Sequence, residues 1–210
     1  MRDSIGRSGG HARRIRLFTV RTLREILRDP LSFVICLGVP LVLLVAMYAL
    51  FSPTEPWFTL DMLTPGIAVF SGAFAMLYMA LLVSRDRATW FLTRLYSSPL
   101  TDGDFVLGYA LPGILIGAGQ LVICWAASAV TGLVAGETAW LGVGILPAVL
   151  SALPMVVCFV FIGILSGSLF SDKAAPGLSS VVISGAGFLS GAWMPVESLS
   201  GGFRTFCAWL

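Results

Sequence analysis

The chain has 210 residues, of which 57% are hydrophobic and only 11% are charged. Soluble globular proteins carry roughly 25% charged residues, and a mean hydropathy of +0.92 points in the same direction. This composition excludes a soluble enzyme and a secreted disulfide scaffold. The formal net charge of +2 says little by itself, because the positions of the basic residues matter more. The four cysteines show no Cys-x-x-Cys spacing and give no sign of a metal or redox site.

The first 30 residues predict an amphipathic helix in front of the membrane domain. Within residues 13–29 the apolar side chains gather on one side of a helical wheel, and three arginines share the opposite side: Arg21, Arg24 and Arg28. Asp29-Pro30 then interrupts the helix. Such a helix would lie in the membrane interface, with its arginines toward lipid headgroups or a partner. A plain basic anchor explains the arginines as well, so both interpretations remain open.

Five apolar runs follow, each near the length that crosses a bilayer. About 20 apolar residues at about 1.5 Å per residue span a hydrocarbon core of roughly 30 Å. The predicted spans are residues 31–51, 64–84, 105–134, 140–170 and 177–193. Pro112 could kink the third run, and Pro147 and Pro154 predict a break in the fourth. Residues 31–210 therefore form one transmembrane domain, and the predicted fold class is an all-α polytopic integral membrane protein with five transmembrane helices.

Glycines four residues apart predict close approach of these helices. Such pairs share one helical face, and four of them occur: Gly113/Gly117, Gly132/Gly136, Gly163/Gly167 and Gly187/Gly191. We take them as general packing signals and not as a binding site.

The basic residues predict the orientation of the chain. Eight arginines precede the first run, three lie between the second and third runs, and Lys173 lies between the fourth and fifth. The alternate connections carry acidic residues and no basic one. Because short cytoplasmic segments are enriched in Lys and Arg, we expect a multi-pass protein of the cell membrane with its N-terminus in the cytoplasm.

The connection between the second and third runs is much longer than a turn requires. Asp86 could cap a helix, and apolar residues follow at the spacing of one helical face: Ala88, Phe91, Leu92 and Leu95. Ser97-Ser98-Pro99 would end it. This pattern predicts a short amphipathic cytoplasmic helix, which is a candidate docking element. A helix that only rests on the bilayer is the alternative.

This connection resembles the cytoplasmic signature of type-2 ATP-binding-cassette (ABC) transporter permeases. Six residues match that signature: Thr89, Arg94, Leu95, Ser98, Pro99 and Leu100. Ala88 replaces its glycine, and Asp86-Arg87 stands where a glutamate-rich pair is usual. The arginine-rich helix before the first span also fits the family, as does the stretch 194–199 near the end of the chain.

The resemblance implies a drug- or lipid-export-like permease subunit that forms a homodimer or pairs with a second permease. It also implies a separate ATP-binding-cassette ATPase subunit, docked on a coupling helix between spans two and three. The residues expected to contact that subunit are Arg85, Asp86, Arg87, Thr89, Phe91, Leu92, Arg94, Leu95, Ser98 and Pro99. Since the family has six spans, we expect a sixth span to be missing after Leu210.

The chain lacks residues for its own catalysis. No glycine-rich phosphate loop surrounds Lys173, so the resemblance leaves ATP and Mg²⁺ to the partner subunit. The only histidine is His11 in the tail, and Asp102-Gly103-Asp104 is best explained as a solvated helix cap. No cofactor, metal or nucleic-acid partner is expected. The spans carry no Asp, Glu, Lys, Arg or His, which argues against an ion-coupled carrier.

The aromatic side chains of spans two and five would suit a hydrophobic or amphiphilic cargo. The candidates for lining the path are Phe70, Phe74, Tyr78 and Phe188. Helix packing or contact with membrane lipids is the more ordinary explanation of each. The function expected is ATP-driven export, and a non-transporting membrane anchor or assembly protein is the alternative. A membrane enzyme ranks below both because catalytic groups are missing.

Overall fold

The structure is a computed structural model that describes residues 3–56, 58–89, 101–136 and 145–190. Within these ranges the chain forms six helices and no strand. In chain order they are α1 (Asp3–Arg28), α2 (Pro30–Phe51), α3 (Leu60–Ala88), α4 (Asp102–Ala135), α5 (Ile145–Leu169) and α6 (Ala175–Leu189). The predicted all-α fold is confirmed, and α1 and α2 are separated at Asp29-Pro30 as the sequence predicts.

Four of these helices are long and apolar enough to cross a membrane. They are α2 over Val34–Phe51, α3, α4, and α5 over Leu146–Leu169. The fifth apolar helix, α6, has 15 residues, which at about 1.5 Å each give about 22 Å, short of a core of roughly 30 Å. The predicted count of five spans is therefore corrected to four long helices and one shorter apolar helix among the described residues.

The predicted break in the fourth span is wrong, because α5 is one continuous helix from Ile145 to Leu169. Pro147 lies in its first turn, where a backbone N–H has no helical acceptor and proline costs little. Pro154 removes one helical hydrogen bond from the interior. Membrane helices tolerate such a proline because nearby hydroxyl groups and neighbouring helices satisfy the freed backbone groups.

Helix α3 is the centre of the bundle and contacts α2, α4, α5 and α6. Its closest neighbour is α5, where Gly163 and Gly167 face the backbone of α3. A Cβ atom at Gly163 would stand 2.5 Å from the carbonyl oxygen of Met76, and one at Gly167 would stand 2.5 Å from that of Ala80. For this pair the small-residue spacing therefore marks a backbone contact that a side chain would prevent.

Three buried polar residues inside the spans form hydrogen bonds between helices. Thr64 of α3 and Ser128 of α4 are hydrogen-bonded through their hydroxyls at 2.5 Å. Gln120 of α4 donates to the carbonyl oxygen of Leu37 in α2, at 3.0 Å. Leu37 lies one turn before Pro40, where the proline ring disturbs the helical hydrogen bonds. The apolar pattern alone does not determine which helices pack together, and these hydrogen bonds join particular pairs of helices.

Six helix termini meet at one end of the bundle, which we call the arginine-rich end. It gathers the end of α1 and the start of α2, the end of α3 and the start of α4, and the end of α5 and the start of α6. Contacts of Arg21 with Asp86, Arg85 with Asp29, and Ser84 with Asp172 join these termini. Four of the basic residues that predicted the orientation of the chain lie at this end: Arg21, Arg28, Arg85 and Arg87.

Candidate functional site

The predicted contact segment for the ATPase subunit begins in the last turn of α3. Arg85, Asp86 and Arg87 belong to that turn, and Thr89 is its C-cap residue, with its backbone N–H bonded to the carbonyl oxygen of Arg85. The other predicted contact residues lie outside the described residues: Phe91, Leu92, Arg94, Leu95, Ser98 and Pro99. The structure therefore shows the contacts that hold the first residues of this segment.

Asp86 is a buried acceptor inside α3, and the prediction that it caps a new helix is wrong. Its side chain is almost fully buried, and the residue is 4% exposed. The guanidinium of Arg21 donates to both carboxylate oxygens, at 3.1 Å and 3.4 Å, and the hydroxyl of Tyr109 donates to one of them. A buried carboxylate needs such partners because desolvation alone would make its charge very costly.

Arg21 therefore faces the bundle, whereas the sequence placed it with Arg24 and Arg28 on the face toward headgroups or a partner. Glu25, one turn further along α1, lies 2.9 Å from the Arg21 guanidinium. Burial lowers the pKa of Arg21, but the hydrogen bond and the charge of Asp86 outweigh it and leave this pKa raised. Arg24 and Arg28 are exposed. Of the three arginines predicted to face the membrane interface or a partner, Arg21 is bound inside the bundle.

An aromatic cluster packs α1 onto the start of α4 beside this ion pair. The ring of Phe18 meets that of Tyr109 edge to face at 5.0 Å, and Phe105 meets Tyr109 at 4.9 Å. Gly108 makes room for Phe18, since a Cβ atom at Gly108 would stand 1.9 Å from the ring. The buried stripe of α1 is Phe18, Thr22 and Ile26. Leu27, which the sequence predicts on the apolar face toward lipid, is 60% exposed.

A second contact ties the N-terminal part of α1 to α4. Thr101 caps α4 in a reciprocal capping box with Asp104, and this carboxylate also bonds Nδ1 of His11 at 3.0 Å. The aspartate pair at 102–104 thus supplies a helix cap, and Asp104 is buried, not solvated. Within the described ranges no group of three or more His, Cys, Asp or Glu residues could hold a metal ion.

Four consecutive residues at the end of α3 each bind a different part of the bundle. Ser84 donates to Asp172 in the connection between α5 and α6, at 3.2 Å. Arg85 pairs with Asp29 at the α1–α2 junction, at 3.1 Å. Asp86 binds α1 and α4 as described above, and Arg87 donates to the backbone carbonyl oxygen of Ser168 at the end of α5. The last turn of α3, from which the predicted docking segment continues, is therefore bound to several neighbouring parts of the bundle.

Local sequence patterns missed most of these partners. The pairing of Arg21 with Asp86 joins residues that are 65 positions apart, and that of His11 with Asp104 joins residues 93 apart. Tyr109 was not singled out at all. The one local signal was Asp86, an aspartate between two arginines, because a carboxylate that becomes buried needs a cationic partner.

The predicted path aromatics do not form one surface within the chain. Phe70 and Phe74 meet at 5.1 Å between ring centres, and Phe70 and Tyr78 are buried inside the bundle. Phe188 is exposed on α6, and no ring contact joins it to the other three.

The comparison with protein families agrees with this architecture. The family model described as "ABC-2 type transporter" matches residues 13–210. The chain belongs to the ABC-2 type transporter family. No curated protein and no solved structure matches the chain.

Membership of the ABC-2 type transporter family makes the chain a permease subunit of an ABC transporter and a multi-pass membrane protein. The family also implies association with an ATP-binding-cassette subunit. The end of α3 described above leads directly into the segment whose sequence resembles the docking signature of this family.

Proposed function

We propose that the chain forms the translocation path of an ATP-driven exporter for a hydrophobic or amphiphilic substrate. It works as a homodimer or with a second permease in the cell membrane, and its N-terminus and the arginine-rich end face the cytoplasm. A separate ATPase subunit binds ATP and Mg²⁺ and docks on the connection between α3 and α4. The hydrolysis of ATP takes place in that subunit.

The observation that carries this proposal is the attachment of the last turn of α3 to five other parts of the bundle. Residues 84–87 contact α1, the α1–α2 junction, α4, α5 and the connection to α6. A force applied to the following segment is therefore delivered to several helices at once. Arg85, Arg87 and Thr89 keep exposed surface for a partner, and the carboxylate of Asp86 holds the turn in place.

The apolar character of the bundle supports the substrate class. The long helices contain no charged side chain between the clusters at their ends, and their buried polar groups are few, with Thr64, Ser128 and Gln120 hydrogen-bonded between helices. Such a surface gives little to recognise a strongly polar solute and suits an apolar or amphiphilic one.

Substitution of Leu95 tests the docking step. Leu95→Asp should place a charge in the apolar contact with the ATPase subunit, which costs several kcal/mol and weakens assembly by well over tenfold. Arg94→Ala should do less if it lies at the rim, since exposed ion pairs contribute about 0–1 kcal/mol. Thr54→Asp is the matched control, because it adds the same charge at an exposed turn of the opposite end.

The measurement is recovery of the co-expressed ATPase subunit by the tagged chain, at equal membrane expression of each variant. We expect wild type and Thr54→Asp to recover it equally and Leu95→Asp to lose it. Undiminished recovery with Leu95→Asp would refute docking at this segment. The direction of transport is tested in inside-out vesicles, where an exporter should accumulate an amphiphilic dye only with ATP.

A further inference from the structure

A cavity of about 240 Å³ lies at the arginine-rich end, between the end of α1, the α1–α2 junction and α3. Its charged residues are Glu25 and Arg28 of α1, Asp29 of the junction, and Arg85 of α3. A single water needs only about 10–15 Å³, so the cavity has room for a polar group of many atoms. None of the contacts that hold the end of α3 to α4, α5 and α6 uses it.

Two groups at this cavity have no hydrogen-bond or ion-pair partner among the residues that the structure describes. Tyr78 lines the cavity and is 7% exposed, and its hydroxyl has no hydrogen-bond partner among the described residues. Arg28 forms no ion pair with any residue that the structure describes. Asp29 and Arg85 already bind each other at 3.1 Å, while Glu25 is held beside Arg21 at 2.9 Å. The cavity therefore offers one cation and one hydroxyl to a ligand, and the Glu25 carboxylate, although paired with Arg21, keeps further acceptor positions.

The depth and the walls of the cavity fit a membrane lipid. Tyr78 precedes Arg85 by seven residues, which places it about 10 Å deeper along α3. Leu81 and Leu82 line the cavity between them. A ligand in this cavity would meet charged groups at the level of Asp29 and Arg85, where the apolar spans begin and end. Deeper in the membrane it would meet the two leucines and the hydroxyl of Tyr78. Headgroups and the first part of acyl chains follow the same order across the membrane interface.

The charges of the walls indicate which headgroup. Two carboxylates and two guanidinium groups surround the cavity, so it carries no net charge. An anionic headgroup would gain nothing overall from such a site, whereas a zwitterionic one can satisfy both signs. We propose that this cavity binds a phospholipid headgroup that carries both a phosphate and a primary ammonium group, as in phosphatidylethanolamine. Arg28 binds the phosphate, the Glu25 carboxylate accepts hydrogen bonds from the ammonium, and the Tyr78 hydroxyl, which lies deeper, donates to an ester carbonyl oxygen of the lipid.

The proposal is tested with three lipids that differ only in the headgroup. The full chain in detergent is titrated with phosphatidylethanolamine, phosphatidylcholine or phosphatidylglycerol of identical acyl chains, and bound lipid is measured by native mass spectrometry. Choline has no N–H to donate, and phosphatidylglycerol has no cation. Since charge-assisted hydrogen bonds are the stronger ones, we expect phosphatidylethanolamine to bind about tenfold more tightly than either.

Variants assign the two halves of the headgroup to their residues. Glu25→Gln should remove most of the preference for phosphatidylethanolamine, and because it leaves the cavity with one net positive charge it should strengthen the binding of phosphatidylglycerol. Arg28→Ala should weaken all three lipids by roughly threefold to tenfold, and Tyr78→Phe should do so to a smaller extent. Arg24→Ala is the matched control, because Arg24 lies exposed on the same helix and does not line the cavity.

Several results would overturn the proposal. Equal binding of the three lipids, or tighter binding of phosphatidylglycerol, would exclude a zwitterionic site. Equal effects of Arg24→Ala and Arg28→Ala would show a diffuse basic surface in place of the cavity. Binding of water-soluble glycerophosphoethanolamine at the same concentrations as the lipid would make the ligand a soluble metabolite and not a membrane lipid. The proposal depends on the cavity alone and not on docking of an ATPase subunit.

Discussion

The ion pair between Arg21 and Asp86 should be asymmetric, so that replacing the arginine destabilises the chain more than replacing the aspartate. Arg21→Met leaves a carboxylate that is 4% exposed with Tyr109 as its remaining donor among the described residues. Asp86→Asn keeps one acceptor oxygen for Arg21 and Tyr109 and removes the charge and the second, longer hydrogen bond from Arg21. The Arg21 side chain is 35% exposed, so water can solvate it when Asp86 is neutral.

The expected losses in the free energy of unfolding follow from how deeply each side chain is buried. Removing one partner of a fully buried pair costs about 3–5 kcal/mol, and an exposed pair contributes about 0–1 kcal/mol. Because Arg21 is partly exposed and Tyr109 still donates, we expect Arg21→Met to cost about 2–3 kcal/mol. Asp86→Asn should cost about 1 kcal/mol, and Tyr109→Phe, which removes one hydroxyl, also about 1 kcal/mol.

The assay is a denaturant titration of the full chain in detergent, with the double variant of Arg21→Met and Asp86→Asn to close a mutant cycle. Residues in one hydrogen-bonded network are not additive, so we expect a coupling free energy of about 1 kcal/mol or more. Arg24→Met, an exposed arginine on the same helix, should change stability by less than about 0.5 kcal/mol. Additive single variants, or equal effects of Arg21→Met and Arg24→Met, would refute the structural role of the pair.

Three further predictions concern packing, pH and orientation. Gly163→Ala should destabilise the fold by about 1–3 kcal/mol in the same titration, because its Cβ would press on the backbone of α3, whereas Gly185→Ala meets no atom within 4 Å and should be tolerated. Burial and a neighbouring carboxylate raise the pKa of Glu25, so the stability that it gives below its ordinary pKa should be lost as the pH rises through the raised value. Melting temperatures across that range should show this slope for wild type and a flatter one for Glu25→Gln. In a cysteine-free background, an impermeant thiol reagent outside intact cells should label Glu55→Cys and not Asp3→Cys, and the reverse pattern would invert the proposed topology.

The sequence predicts the helices well because their signals are local. Length and apolarity locate the long helices, and Asp29-Pro30 locates the boundary between α1 and α2. The errors concern where a helix ends. α5 continues through Pro154, and α3 continues to Ala88, past the end predicted at residue 84. Both continuations depend on neighbouring helices, which supply contacts that a local rule does not include.

The partners of the charged residues could not be predicted for a related reason. A helical wheel sorts α1 by polarity, and by that measure Arg21 resembles Arg24 and Arg28. What distinguishes Arg21 is a carboxylate on another helix, at a distance fixed by how Phe18 packs against Gly108. The sequence of α1 alone holds no information on that contact.

The cavity and the end of α3 share the ion pair between Arg85 and Asp29. A movement of the turn at residues 84–87 that separates this pair would change the wall against which the lipid headgroup rests. If both proposals hold, lipid binding and docking of the ATPase subunit are therefore linked, and linkage between two equilibria is reciprocal. Phosphatidylethanolamine should change the dissociation constant of the ATPase subunit by the same factor by which that subunit changes the dissociation constant of the lipid.

Asp29→Asn, which weakens the shared pair while leaving Arg28 and Glu25 in place, should bring both factors toward one. Unequal factors in the wild type would show that the two measurements do not report one equilibrium, and a linkage that survives Asp29→Asn would mean that it passes through another contact.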